Sequence, residues 1–327
     1  MLTHAYIRTA VLALSAMTYL LIGSAVAKDK DDASGVPTYR STVSEVRITF
    51  FATDENNRPL ENVTKSDFAI VDNEQVVRNF RSFAHSQETA LDVVVLVDLS
   101  ESVAPRVRGA ISDVLQLVAR EQSIADDNIS VLSFGGTFGT PASLRPAILC
   151  SSGCRASDSG SRLLAVKSGG VTPLFDALMF AADFIADHRR PGRNDVRPVL
   201  LLFSDGCDTI SLHSASEALQ AAQGTGALIY SVDMGRTEIP SPGSTFLRRL
   251  SEATGGRYFP LALRNSPQEN AAAVLNAVLE DLRASYVVTY DLPSYQAGFH
   301  SLRLLPTHKL NFTFHSRNGY DYEPGNR

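Results

Sequence analysis

Asp92-Val93-Val94-Val95-Leu96-Val97-Asp98 runs directly into Leu99-Ser100-Glu101-Ser102. Positions 93 to 97 carry no polar residue, so the run does not alternate as a half-exposed strand would. A strand apolar on both faces belongs inside a parallel sheet covered by helices. Two further runs share this character: Val199-Leu200-Leu201-Leu202-Phe203 within Pro198 to Ser204, and Ala227-Leu228-Ile229-Tyr230-Ser231-Val232. Ile129 to Phe134 reads as another strand, and Leu144 to Leu149 as an edge strand. Between them lie stretches with helical spacing. Val107 to Glu121 places Val107, Ile111, Val114, Leu115 and Val118 on one face, and Pro173 to His188 does the same with Leu174, Ala177, Leu178, Ala181, Phe184 and Ile185. Ser214 to Gln223 ends at Gly224, and Ser214 with Glu217 three residues on fits a capping box. Further helices are expected near 243–254 and 267–283, and a short one over 157–167. Strands alternating with helices predict an α/β fold, a doubly wound, mostly parallel sheet with helices on both faces.

The flanks read differently. In residues 44–88, Val46, Ile48 and Phe50 share one face, 54–59 is a turn, and Phe68 to Val77 reads as a hairpin turning at Asp72-Asn73-Glu74. In residues 284–323, Tyr286 to Tyr290, Phe299 to Leu304 and Leu310 to Phe314 read as strands. Each flank alone is a marginal length for a sheet domain. The two are therefore expected to pair into one β-sandwich, with the α/β segment, 90–283, inserted between them.

The first residues carry an address. Thr9 to Ala27 is uncharged, Arg8 precedes it, and Ala25-Val26-Ala27 is a small-x-small site ahead of Lys28-Asp29-Lys30-Asp31-Asp32. This is the pattern of a secretory signal peptide, residues 1–27, cleaved after Ala27; an uncleaved anchor is the alternative. Residues 28–43 then form a polar lead-in. Export is expected to the periplasm or the extracellular space, with no membrane span after cleavage. In an oxidising compartment, Cys150 and Cys154, flanking Ser151-Ser152-Gly153, are candidates for a small-loop disulfide, two free thiols being the alternative. Cys207 is left over and is expected to be a buried, unreactive thiol.

Composition closes off several classes. Of 327 residues, 44% are apolar and 20% charged, and the net charge is −5, as a globular core requires and a disordered chain does not allow. The acidic balance excludes a nucleic-acid partner, which needs a basic surplus. Trp is absent, so Trp-platform carbohydrate or membrane readings lose support. There is no G-x-S-x-G elbow, P-loop or G-x-G-x-x-G. The seven His residues stand at no metal-ligand spacing.

The informative chemistry lies at the strand ends, where doubly wound sheets bind ligands. Asp98 opens the D-x-S-x-S run Asp98-Leu99-Ser100-Glu101-Ser102, and alternation along it presents the carboxylate and both hydroxyls to one point. Asp205 lies in Phe203-Ser204-Asp205-Gly206, and Ser168-Gly169-Gly170-Val171-Thr172-Pro173 puts a hydroxyl ahead of a helix. All these donors are oxygen, which suits a hard divalent cation such as Mg²⁺. Taken singly, the aspartates also fit helix caps and the serines turns.

In these three segments, in this order, the sequence resembles the von Willebrand factor type A (VWA) domain, a Rossmann-like fold, with its metal-ion-dependent adhesion site, over roughly residues 90–283. Asp67-Phe68, Tyr286 and Gly319-Tyr320 are similar to flanks of bacterial exported VWFA-related domain proteins. The resemblance implies a metal set of Asp98, Ser100, Ser102, Thr172 and Asp205. The three hydroxyls would ligate directly or through water, and the carboxylates would act mainly through water. The cofactor implied is Mg²⁺, with Mn²⁺ or Ca²⁺ as alternatives. The partner implied is a protein presenting Asp or Glu to an open coordination position. Glu101 departs from the small residue common there. The function implied is a non-enzymatic, metal-dependent interaction module. The competing class is a structural cell-envelope component with a vestigial site, and a hydrolase ranks below both, since Ser100 stands where an aspartyl phosphotransferase needs its second Asp.

Overall fold

The computed structural model describes residues 45–324 apart from 87–89, 105, 108–128, 138–144, 152–153, 155–160, 163–164, 189–195, 236–238, 262–266 and 309–310. The expected leader and lead-in, nearly all of the helix expected at Val107 to Glu121, and most of the one at 157–167 lie outside the described residues. Among those described, no helix is long and apolar enough to cross a membrane.

The continuous apolar runs become the centre of a six-stranded sheet. Its strands are β5 (Ala90–Asp98), β6 (Ile129–Phe134), β8 (Ala147–Cys150), β10 (Val196–Ser204), β11 (Leu228–Asp233) and β12 (Tyr258–Pro260), in the order β12-β11-β10-β5-β6-β8. All pair in parallel except the edge strand β8, which runs antiparallel to β6. Alternation along β5 explains why its run has no polar gap. Val93, Val95 and Val97 join an apolar layer with Val278, Leu279 and Leu282 of helix α4 (Pro267–Arg283). Val94 and Leu96 point the other way, into a layer with α1 (Leu174–His188), α2 (Ala215–Gly224) and α3 (Pro242–Thr254). Leu174, Leu178, Leu219, Leu247 and Leu250 fill that layer. The capping box at Ser214 and Glu217 is formed, and a second one, unforeseen, joins Ser241 and Ser244 at the start of α3.

The flanks supply two four-stranded antiparallel sheets. One has the order β15-β1-β13-β4, from β1 (Glu45–Asp54), β4 (Ser82–His85), β13 (Tyr286–Asp291) and β15 (Phe312–Ser316). The other has the order β16-β14-β2-β3, from β2 (Phe68–Asp72), β3 (Gln75–Val77), β14 (Gly298–Pro306) and β16 (Gly319–Tyr322). Each sheet takes two strands from before the α/β segment and two from after it. Ile48, Phe50, Phe68, Ile70, Val288, Tyr290 and Leu302 share one core. The β2–β3 hairpin turns on Asn73 and Glu74, both at positive φ. A last pair, β7 (Gly136–Thr137) and β9 (Lys167–Ser168), is two residues long on each side.

One buried guanidinium marks where the chain passes between these parts. Arg197, in β10, donates to the carbonyls of Leu282 (3.2 Å) and Ser86 (3.3 Å) and to the hydroxyls of both Ser86 and Ser285. The Ser86 N–H donates to the Ser285 carbonyl at 2.8 Å, so the entry to and exit from the α/β segment are joined directly. Cys150 and Cys154 form a disulfide at the end of β8, with Cα atoms 5.7 Å apart.

Candidate metal centre

Strand order reverses at β5. The chain proceeds from β5 to β6 on one side, then returns to place β10 on the other. The crevice outside the carboxyl ends of β5 and β10 is therefore the switch point of the sheet. Asp98 is the last residue of β5, and Asp205 follows the last residue of β10.

Hydrogen bonds join four of the five expected residues. Asp98 is fully buried; its Oδ1 accepts from the Ser100 N–H (2.8 Å) and its Oδ2 from the Ser204 hydroxyl (2.7 Å). The Ser100 and Ser102 hydroxyls lie 3.2 Å apart, and Ser102 Oγ donates to Asp205 Oδ2 at 2.9 Å. Ser100 is buried, Asp205 half-buried and Ser102 exposed, so this row of oxygens climbs from the core to the surface. Thr172, also buried, is not joined to the row: among the described residues, no hydrogen bond links its hydroxyl to the other four. Backbone bonds tie its loop to the start of the row. Ser100 bridges to Gly169, the Glu101 N–H donates to the Gly169 carbonyl (2.9 Å), and the Gly169 N–H donates to that of Gly135 (2.7 Å).

Two residues outside the expected set do part of the positioning. Ser204 donates to Asp98 and accepts from the Gly206 N–H (3.0 Å), linking the ends of β5 and β10. Thr209 accepts from the Thr172 N–H (2.7 Å) and donates its own N–H to the Thr172 carbonyl (2.9 Å). A hydroxyl beside an aspartate was the available signal for Ser204; nothing local marks Thr209, whose partner lies on another loop. A third strand-end aspartate, Asp233 on β11, was also legible. It accepts from the Gly235 N–H (2.7 Å) and the Tyr258 hydroxyl (2.5 Å), a turn and a strap rather than part of the row.

Electrostatics follow from burial. Desolvation pushes the Asp98 carboxyl up to about 6, with the nearby Asp205 charge adding to it and the Ser100 and Ser204 bonds opposing it. A cation close by would favour the ionised form. Cys207 corrects one expectation: its side chain is exposed, because Gly206 turns the chain outward just past β10. Desolvation and the Asp205 carboxylate push its thiol up, so it stays protonated and weakly nucleophilic.

The donor set fits a hard cation. The oxygens are hydroxyl and carboxylate, the donor types that hard divalent cations take; among the described residues no three His, Cys, Asp or Glu side chains cluster as a metal site. Close packing holds the Asp205 loop in place. Gly206 sits at φ +75°, and a Cβ on Gly243, in the first turn of α3, would stand 2.4 Å from the Asp205 carbonyl oxygen. Gly243→Ala is expected to force this loop outward and lower stability by about 1–3 kcal/mol. Melting curves with and without Mg²⁺ check it, because any Mg²⁺ stabilisation should shrink together with the basal melting temperature.

Residues 92–265 match the family model of the von Willebrand factor type A domain. No curated protein sequence matches the chain. Among solved structures, an aerotolerance-related membrane protein from Bacteroides fragilis NCTC 9343 is 13% identical, with 58% of this chain and 99% of that one covered and a TM-score of 0.42. Manganese-loaded TRAP protein from Plasmodium vivax is 15% identical over 79% of this chain and 100% of that one, at a TM-score of 0.40. The vWF domain of the type V pili tip protein Mfa5 from Porphyromonas gingivalis is 12% identical over 58% and 94%, at 0.41.

Proposed function

This chain belongs to the von Willebrand factor type A domain family, whose members often mediate protein–protein interaction and adhesion, and from that premise we propose that it is an exported module binding a protein partner through a divalent cation. The observation that carries the reading is the row Ser100 Oγ, Ser102 Oγ, Asp205 Oδ2 at the β5–β10 switch point, with the loop that carries Thr172 tied to it through Gly169. Ser100, Ser102 and Thr172 would hold Mg²⁺ by their hydroxyls. Asp98 and Asp205 would fix those hydroxyls and any bound waters, as outer partners of metal ligands do. The bound ion would supply an electrophilic position for an Asp or Glu of the partner. Ser102, exposed at the top of the row, marks where that carboxylate approaches.

A non-enzymatic role fits the same geometry. In this reading the carboxylate that Ser102 meets, Asp205, orients the ion's ligands rather than acting as a base. Export is supported by the leader-like residues 1–27 and by the Cys150–Cys154 bridge, since disulfides persist in oxidising compartments.

The test is a pull-down from cell-envelope extract with the full mature chain as bait, run in Mg²⁺ and in chelator. Partners that elute with chelator support the module. Partners retained equally in chelator would instead favour a structural envelope component whose site no longer binds.

A further inference from the structure

The loop between β10 and α2 carries Asp205 into the centre and then does something unusual with apolar side chains. Ile210 is 42% exposed and Leu212 85% exposed, and Ile239, on the neighbouring loop that leads into α3, is 75% exposed. Leu212 is held outward by its surroundings. The Asp176 carboxylate, at the start of α1, accepts from the N–H groups of Leu212 (3.1 Å) and His213 (3.0 Å) and from His213 Nδ1 (2.7 Å). The Asp208 carboxylate accepts from the Ser211 hydroxyl (2.5 Å) and N–H (3.2 Å). The Ser211 hydroxyl in turn accepts from the Asp176 N–H (3.1 Å). A loop fixed this way holds its leucine away from the core, with Ile210 exposed two residues before it on the same loop; exposed apolar side chains grouped together mark interaction surfaces, as singly scattered ones do not.

The same loop is continuous with the cation site. Thr209, next to Ile210, exchanges two hydrogen bonds with Thr172. Glu101, between the two serines, puts an exposed negative charge on the same rim. A partner with a second acid beside its coordinating one would be repelled there, while apolar neighbours would be welcomed by Leu212 and Ile210 and would keep water from the ion. We propose that the partner segment presents a single acidic residue flanked by large apolar side chains, with Leu212 and Ile210 reading the flank. This rests on the cation-dependent reading above.

The probes are immobilised peptides with one central Asp, flanked by Leu and Phe, by Ser, or by further Asp. Binding of the full mature chain is measured in Mg²⁺ and in chelator. The expected result is chelator-sensitive binding at least about tenfold stronger on the Leu/Phe-flanked peptide, the scale that covering two apolar side chains allows. The double variant Leu212→Ser with Ile210→Ser should lose that preference while keeping the Mg²⁺-dependent melting shift, since neither side chain touches the oxygen row. Chelator-sensitive binding indifferent to the flank, or a preference unchanged in the double variant, overturns the inference and leaves the cation reading standing. A Mg²⁺ melting shift without any peptide preference does the same. Absence of both the melting shift and chelator-sensitive binding removes the cation reading, and the inference with it.

Discussion

Thr172→Ala abolishes Mg²⁺-dependent stabilisation while leaving the melting temperature in chelator close to that of the parent. The reason lies in how Thr172 is held. Its N–H and carbonyl, not its hydroxyl, make the bonds to Thr209, and alanine keeps both. Truncation therefore removes one prospective cation ligand and spares the loop. For the parent, a cation at about a hundred times its dissociation constant adds about 2.7 kcal/mol. At about 2–4 °C per kcal/mol for domains of this size, the shift is about 5–10 °C. Asp98→Ala should lose the shift too, but with a lower baseline, because the Ser100 N–H and the Ser204 hydroxyl lose a buried acceptor. Melting curves of the three proteins in Mg²⁺ and in chelator separate the two effects. A parent whose melting temperature ignores Mg²⁺ would sink the site.

Asp72→Ala should cost about 3–5 kcal/mol, at about 1–3 kcal/mol for each buried hydroxyl that loses its acceptor. Asp72, in β2, is fully buried, and its Oδ2 accepts from the hydroxyls of Tyr290 and Tyr320, both at 2.8 Å. Its Oδ1 faces His300 Nδ1 at 3.3 Å. The other ring nitrogen of His300 lies 2.7 Å from the Gln296 carbonyl, which can only accept. Tyr290 stands on β13, in the opposite sheet, so this carboxylate ties the two layers together across their core. Burial first, and then the carboxylate, push both phenols far above their usual range, so they remain donors. Removing Asp72 takes the shared acceptor from the Tyr290 and Tyr320 hydroxyls, leaving Tyr320 only His300 Nδ1 at 3.3 Å, while His300 keeps the Gln296 carbonyl. Tyr290→Phe removes one donor from a shared acceptor and should cost only about 1 kcal/mol. Denaturant titrations check both; a loss below about 1 kcal/mol for Asp72→Ala would mean that water enters and satisfies the cluster.

These two sites show what a sequence discloses and what it hides. The Asp92 to Asp98 run disclosed its strand because a two-sided apolar pattern has few other homes, and the D-x-S-x-S segment disclosed its hydroxyls because alternation along a short loop is a local rule. The pairing of the flanks into a sandwich was legible from length, since neither flank could bury a core alone. β16 was not read as a strand: Gly319-Tyr320-Asp321-Tyr322 is short, begins with glycine, and becomes a strand by pairing with Gly298 to Ser301 of β14. The Asp72 cluster was hidden for the same reason. Its three partners lie at the far end of the chain, and strand alternation says that a residue is inside without saying what it meets. Leu212 was passed over because exposure belongs to the fold, and the carboxylate of Asp176 that keeps it exposed sits in α1, distant in sequence.

The direct link between Ser86 and Ser285 bears on the order in which the molecule can be assembled. Strands β1 to β4 leave the ribosome, and any export channel, long before their partners β13 to β16 exist. Until those arrive, Phe50 faces no Tyr286 and Ile48 no Val288. The α/β segment suffers no such delay, because its strands and helices follow one another along the chain. If it folds first, it brings residues 86 and 285 together and shortens the open loop that the sandwich must close, and with it the entropy cost of closure. The inserted segment then serves as a jig, and the sandwich is completed last, by the arrival of the final forty residues.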